Sequence, residues 1–309
     1  MTSGDFPLTP REVLAVLLGG GDGGARFVVL ELRLPRVAAA VLVGAALAVA
    51  GGLFQLLTRN PLGSPDVVGF NQGAAVGALV VLLLLGGTDA AVAGGALVGG
   101  LASAFAVYLL AVGRHGGESA GYRLVLVGIG LSAVLQAVIH YLLTRARLED
   151  AMGAQLWLTG SLNGRTWQHL VPLVVALLVL LPVALALGRP LALLSMGEEL
   201  ATALGVRSGR VRLVAVLVAV GLTAGSTAAA GPVLFVALAA PQIARRLTRT
   251  TGAGLGTAAL TGAALLLLAD VVAQRIPAPT QLPVGVVTAA VGGAYLAALL
   301  VGQWRRGRG

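Results

Sequence analysis

The sequence has no cysteine and no lysine, and it carries little charge of either sign. Without cysteine, no disulfide and no thiolate metal site can form. Charged residues make up 11% of the 309 positions, against roughly 25% in a soluble domain. So few charges cannot cover a water-facing surface. Within the apolar runs Asp270 is the one acid and His140 the one histidine. A lone histidine of this kind reads as a satisfied core residue. No pair of histidines or carboxylates has metal-ligand spacing, and no Walker A loop is present. The chain is therefore not read as an enzyme, and neither a cofactor nor a metal is expected. A nucleic-acid binder would gather its arginines on a soluble face. Here they lie between apolar runs, so nucleic acid is not an expected partner.

What is abundant points to the bilayer. Hydrophobic residues reach 57%, glycine accounts for 45 positions and the mean hydropathy is +0.94. The fold class is read as all-α, a polytopic transmembrane helix bundle in a single domain over residues 1–309. A bilayer core needs about 20 apolar residues in a helix. Nine candidate segments meet or approach this: about 37–57, 69–86, 91–112, 124–143, 171–188, 211–230, 232–246, 255–274 and 283–301. The run from Leu213 to Gln242 holds no charge and is too long for one span. Gly231-Pro232 breaks it, because proline lacks a donor and disfavours helix before it. A full span followed by a short one buried in protein is expected. The tract Ala151–Leu170, with Trp157 and Trp167, reads as a short interfacial helix with aromatic anchors.

All 21 basic residues are arginine, and they orient the bundle. Counted over alternating loops, thirteen fall on one side: Arg59, Arg114, Arg123, Arg189, Arg207, Arg210, Arg212, Arg245, Arg246, Arg249, Arg305, Arg306 and Arg308. Eight fall on the other: Arg11, Arg26, Arg33, Arg36, Arg145, Arg147, Arg165 and Arg275. The positive-inside rule places the first group in the cytoplasm. The N-terminal tail then lies outside with four arginines and no span before it, since the apolar run Val13–Leu18 is too short for a signal h-region. Small-xxx-small spacing recurs at Gly69, Gly73 and Gly77, at Gly95 and Gly99, and at Gly221 and Gly225, which suits close helix packing in lipid. An ion-coupled carrier needs an intramembrane carboxylate or a broken-helix ion site. Little of either is present apart from the Gly231-Pro232 break, so energy for moving a solute is expected from a partner.

Four stretches in order carry a family resemblance. They are Leu32–Leu79, containing LRLPRVAAAV and NPLGSPDVVGFNQGAAVGAL; Leu191–Val206, LALLSMGEELATALGV; Ala230–Arg245, AGPVLFVALAAPQIAR; and Leu268–Gly292, LADVVAQRIPAPTQLPVGVVTAAVG. Together they resemble the FecCD-type permease subunits of iron–siderophore, haem and cobalamin ABC importers, over nearly the whole chain from about Pro7. The resemblance implies a ten-span permease that pairs with a second permease subunit, the same or similar. It also implies a cytoplasmic ABC ATPase dimer and an extracytoplasmic substrate-binding protein as partners. The family carries a further apolar span ahead of the segment matching Pro7-Leu8-Thr9. Either the true start lies upstream or this is a nine-span form, and the arginine-rich tail favours the first.

The loop 189–212 is read as the cytoplasmic coupling loop. Leu200 and Leu204 share a helical face there, Glu198 and Glu199 suit a helix N-terminus and Gly205 offers a stop. By resemblance, Gly197, Glu198, Ala201, Leu204 and Gly205 couple the permease to the ATPase. At the outer end, Arg33 and Arg36 flank Leu34-Pro35, and the resemblance gives them a role in docking the binding protein. The family's further outer arginine falls at Gln274 here, with Arg275 one residue later. The family's Pro-His-Ile-Ala-Arg is Pro241-Gln242-Ile243-Ala244-Arg245. The resulting expectation is a permease subunit in a bacterial cytoplasmic membrane that moves a ferric siderophore or related iron chelate inward by alternating access. Haem or cobalamin import by the same architecture is the alternative within the class. An ion-coupled secondary transporter or a membrane scaffold is the alternative outside it.

Overall fold

The computed structural model describes residues 6–66, 68–111, 120–249, 254–276 and 281–306, and among them no strand occurs. The chain opens with α1 (Pro10–Leu17). Thr9 caps it in a reciprocal box: the Glu12 amide donates to Thr9 Oγ1 at 3.3 Å, and the Thr9 amide donates to Glu12 Oε2 at 2.7 Å. Two otherwise orphaned donors are satisfied this way, and Pro10 stands where no donor is needed. Val13 and Val16 of α1 bury against Ala25 and Val29.

A helix then runs without a gap over Gly23–Thr58. It comprises α2 (Gly23–Arg26), a π-helical stretch Phe27–Arg33 and α3 (Leu34–Thr58). It is longer than the span expected over 37–57: Pro35 lacks a donor at the first turn of α3, yet the helix continues through it. The wide turns immediately before it absorb the register change. Fifteen α3 residues are buried, from Pro35 to Gln55, which makes α3 the central mast of the bundle.

Around α3 stand α4 (Phe70–Leu79), continued by π-helical turns to Leu84; α5 (Asp89–Ala111); α6 (Ala120–Arg145); α7 (Leu148–Leu158); α8 (Trp167–Ser195); α9 (Glu198–Ala203); α10 (Ser208–Ala230); α11 (Val236–Thr248); α12 (Leu255–Arg275); and α13 (Val284–Arg306). Helices α8, α10, α11 and α12 all pack on α3, while α4 and α5 pair with one another and lean on α10. The pairing of α4 with α5 depends on missing side chains: Gly77 faces Gly95 and Gly99 backbone to backbone, and a Cβ at any of the three would overlap the opposite chain. Small residues give close contact where lipid supplies no hydrophobic drive.

Among the described residues each of the nine expected apolar segments contains a helix. Six helices among the described residues are long and apolar enough to cross a membrane: Gly23–Thr58, Asp89–Leu110, Val125–Arg145, Trp167–Ser195, Ser208–Ala230 and Leu255–Arg275. Phe70–Leu84 and Val284–Ala298 are shorter apolar helices. Helix α11 has 13 residues. It is the short segment expected after the break, and Val236 to Pro241 are all buried. At the break Gly231 and Phe235 both have positive φ (74° and 69°). The backbone groups freed there find partners: the Ser161 amide donates to Ala230 O at 2.8 Å and the Gly231 amide to Thr227 O at 2.8 Å. Irregular backbone at membrane depth persists only when paired in this way. A side-chain chain adds to it, with Thr227 Oγ1 donating to Asn71 Oδ1 at 2.9 Å and Asn71 Nδ2 to Asp66 Oδ1 at 2.6 Å.

Two boundaries differ from expectation. The tract 151–170 is not one interfacial helix. Helix α7 ends at Leu158, a turn follows, and Trp167 is already the first residue of α8. Likewise 189–212 is not a loop. Helix α8 runs through Pro190 to Ser195, and α10 begins at Ser208, leaving only α9 and its flanks between. Pro190 lies inside α8 and does not stop it. Its ring forfeits one hydrogen bond, but burial of Leu187, Leu191 and Leu194 on one face carries the helix past it.

Candidate functional site

The corner built by α8, α9 and α10 contains all five expected coupling residues. Gly197 turns the chain out of α8 with φ 133° and ψ 147°, a conformation open to glycine and strained for other residues. Glu198 follows as the first residue of α9, and its Oε2 accepts from Arg212 Nη2 of α10 at 3.0 Å. The Ser208 hydroxyl, and then the Arg212 and Arg59 guanidinium groups, hold the Glu198 carboxyl below the usual carboxylate range. Ala201 is fully buried and faces back into the bundle. Gly205, at φ 82°, ends α9 with paired bonds: its amide donates to Thr202 O at 2.9 Å, and the Val206 amide donates to Ala201 O at 2.9 Å. This closing motif satisfies the orphan carbonyls of a short helix.

The outward face of this corner is apolar. Met196, Leu200 and Leu204 recur at four-residue intervals, with 69%, 45% and 58% of their surface exposed. An exposed apolar patch rimmed by charge marks an interaction surface, and Arg207 and Arg210 supply the charge here. Leu204 was expected on this face. Met196 ends α8 on the other side of the Gly197 turn and is the most exposed of the three; helical spacing does not carry across that turn. The anchoring from α3 was not legible: Arg59, in the left-handed region at φ 50°, donates to Leu194 O at 2.6 Å and ties the end of α3 to the base of the corner.

The opposite end of the bundle holds the arginines expected to dock a binding protein, and the structure separates their roles. Arg36 turns inward. Its Nη2 lies 2.8 Å from Asp270 Oδ1 and its Nε 3.0 Å from Asp270 Oδ2, while Nη1 donates to Gln281 Oε1 at 2.8 Å. Gln274 also donates to Asp270, at 2.7 Å. Arg33, one turn earlier, is half-buried and donates to Phe6 O at 2.5 Å. Arg275 is exposed at the end of α12. With Gln274 rather than arginine on the Asp270 face, the one-residue displacement turns Arg275 by about 100° around the helix. Arg36 and Arg275 therefore lie at one end of the antiparallel α3–α12 pair, Arg36 turned inward and Arg275 exposed.

The histidine position of the family pattern is also explained. Gln242 donates to Gln55 Oε1 at 2.8 Å and to Pro61 O at 2.9 Å, and Arg245 Nη2 donates to the same Gln55 oxygen at 2.6 Å. Gln55 in turn donates to Leu238 O at 3.0 Å. The amide at 242 thus takes part in a cluster that stitches α11 to α3. His140, expected in the core, is instead exposed on α6 beside Gln136.

Residues 1–302 match the FecCD transport family. The chain is 49% identical over 306 residues to the ferric enterobactin transport system permease protein FepG of Escherichia coli, covering 99% of this chain and 92% of that one. It is 38% identical over 304 residues to the Fe(3+)-citrate import system permease protein YfmE of Bacillus subtilis, covering 98% and 90%. A solved structure described as an inward-facing metal-chelate type ABC transporter superposes with a TM-score of 0.87 at 27% identity, covering 97% of this chain and 93% of that one.

Proposed function

Because the chain belongs to the FecCD transport family, we propose that it is the permease subunit of an ABC importer carrying a ferric siderophore or related iron chelate into the cytoplasm. It performs no covalent chemistry. The observation that carries this reading is end-to-end similarity to permeases for ferric enterobactin and ferric citrate, on a fold shared with a metal-chelate transporter. The membrane is the bacterial cytoplasmic one. The α9 corner faces the cytoplasm, where Arg189, Arg207, Arg210 and Arg212 gather, and the Arg33–Arg36–Arg275 end faces outward.

In this reading the Met196–Leu200–Leu204 face seats in a groove of a partner ATPase. Gly197 and Gly205 set the angle at which α9 leaves the bundle. Glu198, held by Arg212 and Ser208, makes α9 move with α10 as one body, and Ala201 packs it down. ATP binding and hydrolysis on two ATPases would then be transmitted through the corner to α8 and α10. A second permease subunit completes the pathway, and an extracytoplasmic binding protein delivers the chelate against Arg33 and Arg275. Arg36 supports that surface by fixing α3 to α12.

The test is uptake of ferric enterobactin into vesicles holding the permease, its ATPase and its binding protein. Uptake should need ATP on the cytoplasmic side and persist when proton and sodium gradients are collapsed. Uptake driven by a gradient without ATP would replace this reading with a secondary transporter.

A further inference from the structure

We propose that Gln136 and His140 form a polar track on α6 that hydrogen-bonds the anionic oxygens of the ferric chelate as it crosses the permease. The inference rests on the importer reading and assigns cargo contact to two residues.

Helix α6 is the least enclosed of the long apolar helices, with 11% of its apolar window buried. Ser132, Gln136, His140 and Thr144 follow one another along it at four-residue intervals, so they lie along one edge of the helix. Gln136 and His140 are exposed and meet at 3.2 Å between Nε2 atoms. That is the only hydrogen bond either side chain makes among the described residues. The amide keeps a second N–H and its carbonyl for another partner, and the imidazole keeps its other nitrogen.

Lipid is a poor neighbour for such an edge, because hydrocarbon cannot satisfy an amide or an imidazole. Helix α5 exposes Val98, Leu101, Phe105 and Leu109, and α8 exposes Val171, Val175, Leu178 and Val179. Those faces are uniformly apolar, as lipid requires. The α6 edge is not, so it faces water. His140 lies five residues, about 7.5 Å at 1.5 Å per residue, before Arg145 at the outward end. The pair thus stands where a chelate handed over from outside first enters the bundle. N–H donors in an otherwise apolar wall select for anionic oxygen, which is what citrate and catecholate ligands present around iron.

The absence of native cysteine makes the test direct. Single variants Gln136→Cys, His140→Cys and the α8 control Leu178→Cys are placed in the complete importer in vesicles and treated with a charged, membrane-impermeant thiol reagent. Positions 136 and 140 should label and position 178 should not. A Gln136→Leu/His140→Leu double variant should lower ferric enterobactin uptake about tenfold, the worth of one net hydrogen bond to a charged group. Its ATPase activity, stimulated by the loaded binding protein, should persist. Failure of 136 and 140 to label, whether from lipid cover or from oxidative cross-linking to a second copy across a dry contact, overturns the proposal. So does wild-type uptake by the double variant. A wild-type complex that imports no chelate sinks the importer reading and the cargo contact with it, whereas labelling of 136 and 140 would still show a water-facing edge.

Discussion

Arg36 and Asp270 lie 234 positions apart and meet as a forked ion pair, with Arg36 Nη2 2.8 Å and Nε 3.0 Å from the two carboxylate oxygens. Only 15% of the arginine side chain and 2% of the aspartate side chain are exposed. The pair joins the start of α3 to the end of α12, with Gln274 adding a donor to the carboxylate and Gln281 an acceptor for the guanidinium. A planar guanidinium suits this geometry and a lysine would not.

Breaking that pair from one side should cost more than removing it whole. Asp270→Leu leaves a guanidinium unpaired in a buried setting, at about 3–5 kcal/mol. The double variant Arg36→Leu/Asp270→Leu should recover most of that loss. Thermal unfolding of the purified permease in detergent reads both. A double variant at least as unstable as Asp270→Leu would show that the arginine is not stranded by loss of its partner.

The exposed apolar residues of the α8–α9 corner should behave as an interface. Leu204→Asp, and separately Met196→Asp, should each weaken association with the ATPase by about thirtyfold, the 2 kcal/mol of a hot-spot side chain. Both residues are exposed, so the permease itself should purify with unchanged thermal stability. Retention of the ATPase by both variants on affinity purification would remove this face from the interface.

Glu198 makes the corner sensitive to acid. Its carboxyl is held below the ordinary value of 4.5 by the Ser208 hydroxyl, Arg212 and Arg59. A depressed carboxyl contributes stability that is present above the ordinary value and is lost as pH falls through the folded one. Amide exchange in α9, corrected for intrinsic pH dependence, should therefore be constant above about pH 4.5 and accelerate below it. Glu198→Gln should exchange faster at neutral pH and lose the acid step. An acid step of equal size in the glutamine variant would assign it to another group.

At the outer end, Arg33→Glu and Arg275→Glu should each reduce affinity for the binding protein, and the difference from wild type should shrink as salt rises from 0.05 to about 0.5 M, because exposed charges are screened over a Debye length. Surface plasmon resonance over a salt series measures this. Binding indifferent to both reversals would leave the docking surface elsewhere.

Much of the bundle was legible in the sequence because lipid imposes a simple rule. Every span must be apolar and must pair its own backbone, so hydropathy located a helix in each of nine segments, and the Gly231-Pro232 break marked the short α11 among them. The α9 corner was legible in part: a short helix with Glu198 at its start, Leu200 and Leu204 on one face and Gly205 at its stop follows from helix-end chemistry and four-residue spacing, whereas the coupling role came only from the family resemblance. Boundaries failed where packing overrode a local signal. The span expected over 171–188 was too short: α8 passes Pro190 and reaches Ser195 because Leu187, Leu191 and Leu194 stay buried. Gly160 and Gly164 divide the tract between α7 and α8, each at positive φ (71° and 66°).

By itself, then, the sequence determined a membrane-embedded helical bundle, its helix order and its polar ends, because these depend on neighbours within a few turns. Only the tertiary structure decided which polar side chains are spent inside the protein and which are left for others. Arg36 is consumed by Asp270 and Gln242 by Gln55, whereas His140 stands exposed rather than in the core. The reason is distance along the chain. Partners 187 and 234 positions apart leave no local trace, and burial on a helix in lipid cannot be read from periodicity when every face is apolar.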